Sequence, residues 1–189
     1  VPRSGPSWDP DLRRHINPKP APALQDAQRA MGLIRQHAAE WGIDPHKIGV
    51  IGFSAGGHLV AAISTDFRVR AYPAVDIADS QSCRPDFAVA LYPGHLWMSE
   101  AGPHVLNPDI RVTRETPPTF LLHAGSDKVD DGKHSLVYYA ALKKAGVPTE
   151  MHVYADGGHA FGLRRTERPI TEWPSLVEKW LRTIGMVTE

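Results

Sequence analysis

Unbroken apolar runs, one-sided apolar stripes and proline or glycine breaks follow one another along this chain. Leu24, Ala27, Met31, Ile34, Ala38 and Trp41 recur at spacings of three and four, which predicts a helix of roughly five turns with a single buried face. Four short runs then read as strands, at residues 48–53, 87–92, 119–125 and 149–154. The second and third have no polar alternation, the pattern of parallel strands covered by helices on both faces. Between and after them the sequence predicts three helices. One runs from residue 55 to about 65. Another carries Leu136, Tyr139, Ala140 and Lys143 on related faces and stops at Gly146. The last contains Leu176, Val177, Trp180, Leu181 and Ile184. Strand–helix alternation of this kind defines an α/β fold with a mostly parallel sheet flanked by helices. Residues 1–22 hold six prolines and read as an extended arm, which leaves residues 23–189 as a single domain. Segments 67–85 and 94–118 are long for connections in a compact domain, and such loops often carry function.

Composition narrows the classes of partner. The 189 residues are 42% hydrophobic and 22% charged, enough apolar material for one domain with a core. Lysine plus arginine and aspartate plus glutamate balance at 21 each, so no net field draws the molecule to nucleic acid or to an anionic membrane. Cys83 is the only cysteine and reads as a small buried hydrophobe, so no intrachain disulfide calls for an oxidising compartment. No apolar run approaches 18 residues and no leader pattern is visible, which slightly favours the cytoplasm. The opening Val1-Pro2-Arg3 is not an ordinary start, so localisation stays open and secretion is not excluded.

The chemistry concentrates at Gly52-Phe53-Ser54-Ala55-Gly56, where a strand pattern runs through G-x-S-x-G into a helix of small residues. This is the layout of a nucleophile elbow, with Ser54 at the tip of a tight strand-to-helix turn and the Ala55 N–H placed to donate to an oxyanion. A serine hydroxyl needs a base, and the base needs an orienting carboxylate. In this layout the chain order is serine, acid, histidine. Asp127 follows the third strand by two residues and fits the acid. Asp130 and Asp131 lie one turn further on and read as caps of the next helix, and Asp156 lies in a different loop. Among ten histidines only His159 sits in a glycine-rich loop after the last strand; His58 and His134 fall in helices, and His123 and His152 in strands.

With these motifs assembled, the chain resembles the α/β-hydrolase esterases, in particular the short-chain carboxylesterases of acetylxylan or feruloyl esterase type. The likeness extends through Trp41-Gly42-Ile43-Asp44-Pro45, Gly52-Phe53-Ser54-Ala55-Gly56-Gly57-His58, Pro117-Pro118-Thr119-Phe120-Leu121-Leu122-His123-Ala124, Tyr138-Tyr139-Ala140-Ala141-Leu142 and Gly157-Gly158-His159-Ala160-Phe161-Gly162. The resemblance places nucleophile, acid and base on Ser54, Asp127 and His159, in agreement with the spacing. It also implies an α/β-hydrolase fold that is N-terminally truncated here. The family's glycine-rich loop, source of a second oxyanion amide, and about four strands before the elbow strand have no counterpart in this sequence.

The favoured expectation is a serine carboxylesterase that hydrolyses short acyl esters, such as acetylated or feruloylated carbohydrate, with no cofactor or metal. A catalytically weak or inactive hydrolase-like binding subunit is one alternative, and a lipase or peptidase on the same frame is another. Tyr92, His95 and Trp97 follow a strand end on the catalytic side and are candidates to line the substrate pocket. The elbow strand would have one bare edge, and bare edges invite pairing. A homo-oligomer joined through that strand or through the helix at residues 24–41, with the arm across the boundary, is therefore expected.

Overall fold

The computed structural model describes residues 8–9, 14–15 and 21–188. Within the stretch read as an arm, β1 (Trp8–Asp9) pairs antiparallel with β2 (Arg14–His15). The other residues of the arm before residue 21 lie outside the described part of the chain. Helix α1 (Ala21–Gln36) begins three residues earlier than Leu24, where the sequence suggested a start. Pro22 falls in its first turn, where the missing N–H would have no partner inside the helix.

The apolar stripe of α1 continues past the point where the helix ends. After Gln36 the chain passes into turns, closed by a bond from the Ile43 N–H to the Ala38 carbonyl at 2.8 Å. Ala38 is still buried, but Trp41 is 53% exposed and stacks on His37 instead of entering the core. The expected five turns are therefore four and a fraction, because the spacing of apolar residues does not register a change from helix to turn.

The main sheet contains β3 (Val50–Phe53), β4 (Ala88–Leu91), β5 (Thr119–Ala124) and β6 (Thr149–Tyr154), all parallel and side by side in chain order. Every residue of β4 and β5 is buried, as expected of such apolar-rich runs; Thr119 and His123 are the polar members of β5. Their side chains alternate between two cores. Ala88, Ala90 and Leu121 face α1, α2 (Ala55–Thr65) and α3 (Lys133–Lys144). Val89, Leu91, Phe120 and Leu122 face Trp173, Val177 and Trp180 of α4 (Trp173–Thr183). Helices thus cover both faces, and the carboxyl ends of the strands converge at one end, where ligands bind in open α/β sheets.

β3 pairs with β4 and, among the described residues, with nothing on its other side; Ile51 is 53% exposed there. Its start is braced by Asp86, whose Oδ2 accepts from the Ile48 N–H and from Arg35 Nη2. Among the described residues no helix is long and apolar enough to cross a membrane.

Helix α3 buries a different face from the one expected. Ser135, Val137, Tyr138 and Leu142 are inside, and Leu136 is 52% exposed. The two leucines therefore give a direct test. Leu142→Ala should cost about 2–5 kcal/mol of unfolding free energy, and Leu136→Ala about 0.5 kcal/mol or less, as read from urea midpoints. Similar losses for the two would contradict this orientation of the helix.

Candidate active site

The site is built from the ends of three strands. β3 runs directly into α2 through Ser54, whose backbone takes φ 53 and ψ −119, a left-handed conformation that costs roughly 1–3 kcal/mol in a residue with a side chain. Bonds on both sides hold it there. The Ser54 N–H donates to Leu91 O at 3.0 Å, and Ser54 O accepts from the His58 N–H at 3.2 Å and the Gly94 N–H at 3.3 Å. The turn is so close that a Cβ on Gly52 would lie 2.2 Å from Gly56 O, which is why the position two residues before the tip carries no side chain. Ala55 opens α2, so its N–H is one of the four that have no acceptor within a helix.

The loop after β5 supplies Asp127, whose two carboxylate oxygens divide the work. Oδ1 accepts from the Val129 N–H at 2.8 Å and the Asp130 N–H at 3.1 Å, which folds the loop around the side chain. Oδ2 accepts from His159 Nδ1 at 2.7 Å. Burial alone would push this carboxyl up, but the bonds from His159, Val129 and Asp130 outweigh it and hold it below the ordinary carboxylate range. With Nδ1–H committed to Asp127, the neutral ring carries its lone pair on Nε2, and Nε2 stands 2.9 Å from Ser54 Oγ. Hydroxyl, imidazole and carboxylate thus form one hydrogen-bonded line in the tautomer that lets the ring accept the serine proton.

Further contacts hold this line in place. Ser126 Oγ donates to Asp156 Oδ1 at 2.9 Å and accepts from the Gly157 and Gly158 N–H groups at 3.1 Å each, tying the loop of Asp127 to the loop of His159. His123 is fully buried beneath them, with Nδ1 on Ser135 Oγ at 2.8 Å and Nε2 on Asp130 O at 2.9 Å. Ser126 lies in no motif, and His123 falls within the run from Pro117 to Ala124 without anything there that gives it a role. The only signal is the adjacency of Ser126 to Asp127 and the placement of His123 one strand residue before Ala124.

The three residues suggested as pocket lining do not share one position. Tyr92 is buried, with its ring edge-on to His159 (centroids 4.9 Å apart) and to Phe161 (4.5 Å), so it supports the imidazole from behind. His95 is exposed and its ring approaches that of His58. Trp97 is half-buried, bonded through Nε1 to Gly102 O, and lies beneath Lys133 Nζ. Tyr92 and His95 have φ of 37 and 56, a concentration of left-handed backbone at the end of β4 that matches the strain often stored beside functional sites. Asp131 does meet the start of α3, taking the Lys133 N–H at 2.9 Å. Asp130 is not a cap: its Oδ2 lies 3.4 Å from Ser54 Oγ.

A parallel sheet with a serine elbow after one strand, an acid after a later one and a histidine after the last is the α/β-hydrolase arrangement. Residues 24–184 match the prolyl oligopeptidase family (Peptidase_S9), and the chain belongs to it. It is 25% identical to an acetylxylan esterase of Xylanibacter ruminicola over 84% of this chain and 35% of that protein. It is 30% identical to the esterase LipQ of Mycobacterium tuberculosis over 77% of this chain and 40% of that protein. This chain thus spans well under half the length of these two relatives. Among solved structures it is similar to an acetyl ester-xyloside bifunctional hydrolase from Caldicellulosiruptor lactoaceticus. That match has 37% identity, TM-score 0.79, and coverage of 91% of this chain and 69% of that one. A propionate-bound thermophilic esterase, Est2, from Thermogutta terrifontis superposes with TM-score 0.74 at 26% identity, over 94% and 70% of the two chains.

One titration outside the relay is open to test. Burial of His58, helped by its neighbours His95 and His134 and opposed by Asp109, lowers its pKa to about 4 from an ordinary value near 6.5. Between those two values the unfolded chain holds the extra proton and the folded one does not, so stability falls as pH falls through that window. The urea midpoint should drop between pH 7 and pH 5, and His58→Gln should make that drop smaller. An equal drop in the variant would contradict the burial of a neutral His58.

Proposed function

We propose that this chain carries the hydrolytic centre of a serine carboxylesterase acting on short acyl esters, including acetylated carbohydrate. The observation that carries the reading is the unbroken line from Ser54 Oγ through His159 to Asp127 at the carboxyl end of the sheet. In the first half-reaction Ser54 Oγ attacks the acyl carbon while His159 Nε2 takes its proton. Asp127 holds the ring in the required tautomer and stabilises the imidazolium. The Ala55 N–H, reinforced by the positive end of α2, donates to the oxyanion. Collapse of the intermediate expels the alcohol, which leaves with the proton from His159, and Ser54 is left acylated. Water then attacks the acyl carbon with His159 again as base, the acid is released, and Ser54 regains its proton.

The choice of a short acyl group and a carbohydrate alcohol draws on the relatives: an acetylxylan esterase, an acetyl ester-xyloside hydrolase and a propionate-bound esterase. A peptidase reading draws on the name of the family. Hydrolysis of p-nitrophenyl acetate against a matched peptide p-nitroanilide separates the two. Turnover of the acetate should fall roughly 10⁴-fold or more in Ser54→Ala and roughly 10³- to 10⁴-fold in Asp127→Asn. Retained turnover in Ser54→Ala would remove the assignment, and faster cleavage of the anilide would make the protein a peptidase.

A further inference from the structure

Asp130 takes no part in the relay, yet its carboxylate is held beside it. Its N–H donates to Asp127 Oδ1 and its carbonyl accepts from His123 Nε2, so the backbone is pinned on both sides. The side chain lies over Gly94, where a Cβ would come 2.6 Å from Oδ1. Oδ2 is 3.4 Å from Ser54 Oγ and 3.9 Å from His159 Nε2. A carboxylate offers about four acceptor positions. Among the described residues, the only donor within hydrogen-bond distance of this one is the Ser54 hydroxyl at 3.4 Å, whose single proton is directed to His159 instead.

His134 faces the other oxygen. The Leu96 and Trp97 N–H groups both donate to its Nδ1, at 3.0 and 2.8 Å, so in the neutral ring the proton must sit on Nε2. Burial lowers the pKa of this ring below the ordinary imidazole value, which keeps it neutral at neutral pH. Nε2 stands 4.0 Å from Asp130 Oδ1, too far for a hydrogen bond. The two side chains, 14% and 15% exposed, therefore present one donor and one acceptor 4.0 Å apart, close enough for a single oxygen about 2.8 Å from each to bridge them from the side.

We propose that Asp130 and His134 receive a free hydroxyl on the alcohol half of the ester, on the carbon next to the esterified one, and so select polyol esters. A hydroxyl both donates and accepts: it gives its proton to Asp130 and takes the Nε2–H of His134. An ammonium satisfies only the carboxylate, and an ether satisfies only the imidazole. Asp130 spans the two places: Oδ1 faces His134 and Oδ2 lies 3.4 Å from Ser54 Oγ, so a hydroxyl held at Oδ1 sits about one carboxylate's width from the nucleophile, in reach of the carbon next to the esterified one. The inference rests on the hydrolytic reading above for which half of the ester is bound.

The test compares 2-hydroxyethyl acetate, 2-methoxyethyl acetate and acetylcholine as substrates of the wild type, Asp130→Ala and Gly94→Ala. Losing a hydrogen bond to a charged group corresponds to roughly a tenfold to hundredfold change. The wild type should prefer the hydroxyethyl over the methoxyethyl ester in kcat/KM by that factor. In Asp130→Ala, and in Gly94→Ala, where the new methyl displaces the carboxylate, the preference should fall to near one. No preference in the wild type, equal losses on both esters in the variants, or a preference for acetylcholine would overturn the proposal. Ligand-observed NMR of the same esters with Ser54→Ala supplies a readout without turnover. Selective binding of the hydroxyethyl ester there, with no hydrolysis by the wild type, would uphold this site and reject the hydrolytic reading. Absence of both would reject the two together.

Discussion

The geometry of this protein depends on one strained residue. Ser54 is held at φ 53 where the sheet hands over to α2, and nothing local to a serine favours that conformation. It persists because its N–H is engaged by Leu91 on the neighbouring strand and its carbonyl by His58 and Gly94. Gly52 removes the side chain that would otherwise collide with Gly56. The order of the sheet then does the rest. β4 places Tyr92 and Gly94 next to the elbow, β5 places Asp127 one strand further, and the loop after β6 returns His159 across both. Parallel strands end at the same side of a sheet, so residues far apart in the chain meet without any long excursion.

Asp127 shows how a hydrogen-bonded relay can be fixed with few groups. One carboxylate oxygen organises its own loop and the other orients the imidazole. The first task positions the second, so a change at either oxygen disturbs both. Ser126 and Asp156 lock the histidine loop to the same frame, and His123 supports Asp130 from inside the sheet. The polar groups of this layer are largely satisfied by one another, as buried polar groups must be.

Much of this layout could be read in the sequence where the physics is local or strongly periodic. The strands β4 and β5 were legible because burial on both faces leaves no polar alternation. The elbow was legible because steric demand fixes glycine at Gly52. Position after a strand end distinguished Asp127 and His159 from other acids and histidines as candidates. Other features depend on tertiary context. Trp41 continues an apolar stripe beyond the end of its helix and so looked buried, and Leu136 shares a helix with residues that pack while pointing outward itself. Asp130 and Asp131 are adjacent and chemically identical. Which of them meets the helix and which meets Ser54 is decided by backbone bonds to Asp127 and His123 that no spacing rule contains. Tyr92, His95 and Trp97 lie close in sequence, but the reversals of backbone at the end of β4 send their rings in three directions.

The central claim is that the strained elbow presents an activated Ser54 hydroxyl to His159. Labelling with a fluorophosphonate, followed by peptide mass spectrometry, measures this most directly because only an activated serine reacts and the modified residue is read from the spectrum. The account predicts one adduct per chain, on Ser54, lost in His159→Ala although the hydroxyl is still present. An adduct on another residue, or labelling of Ser54 that persists at full rate without His159, would contradict it.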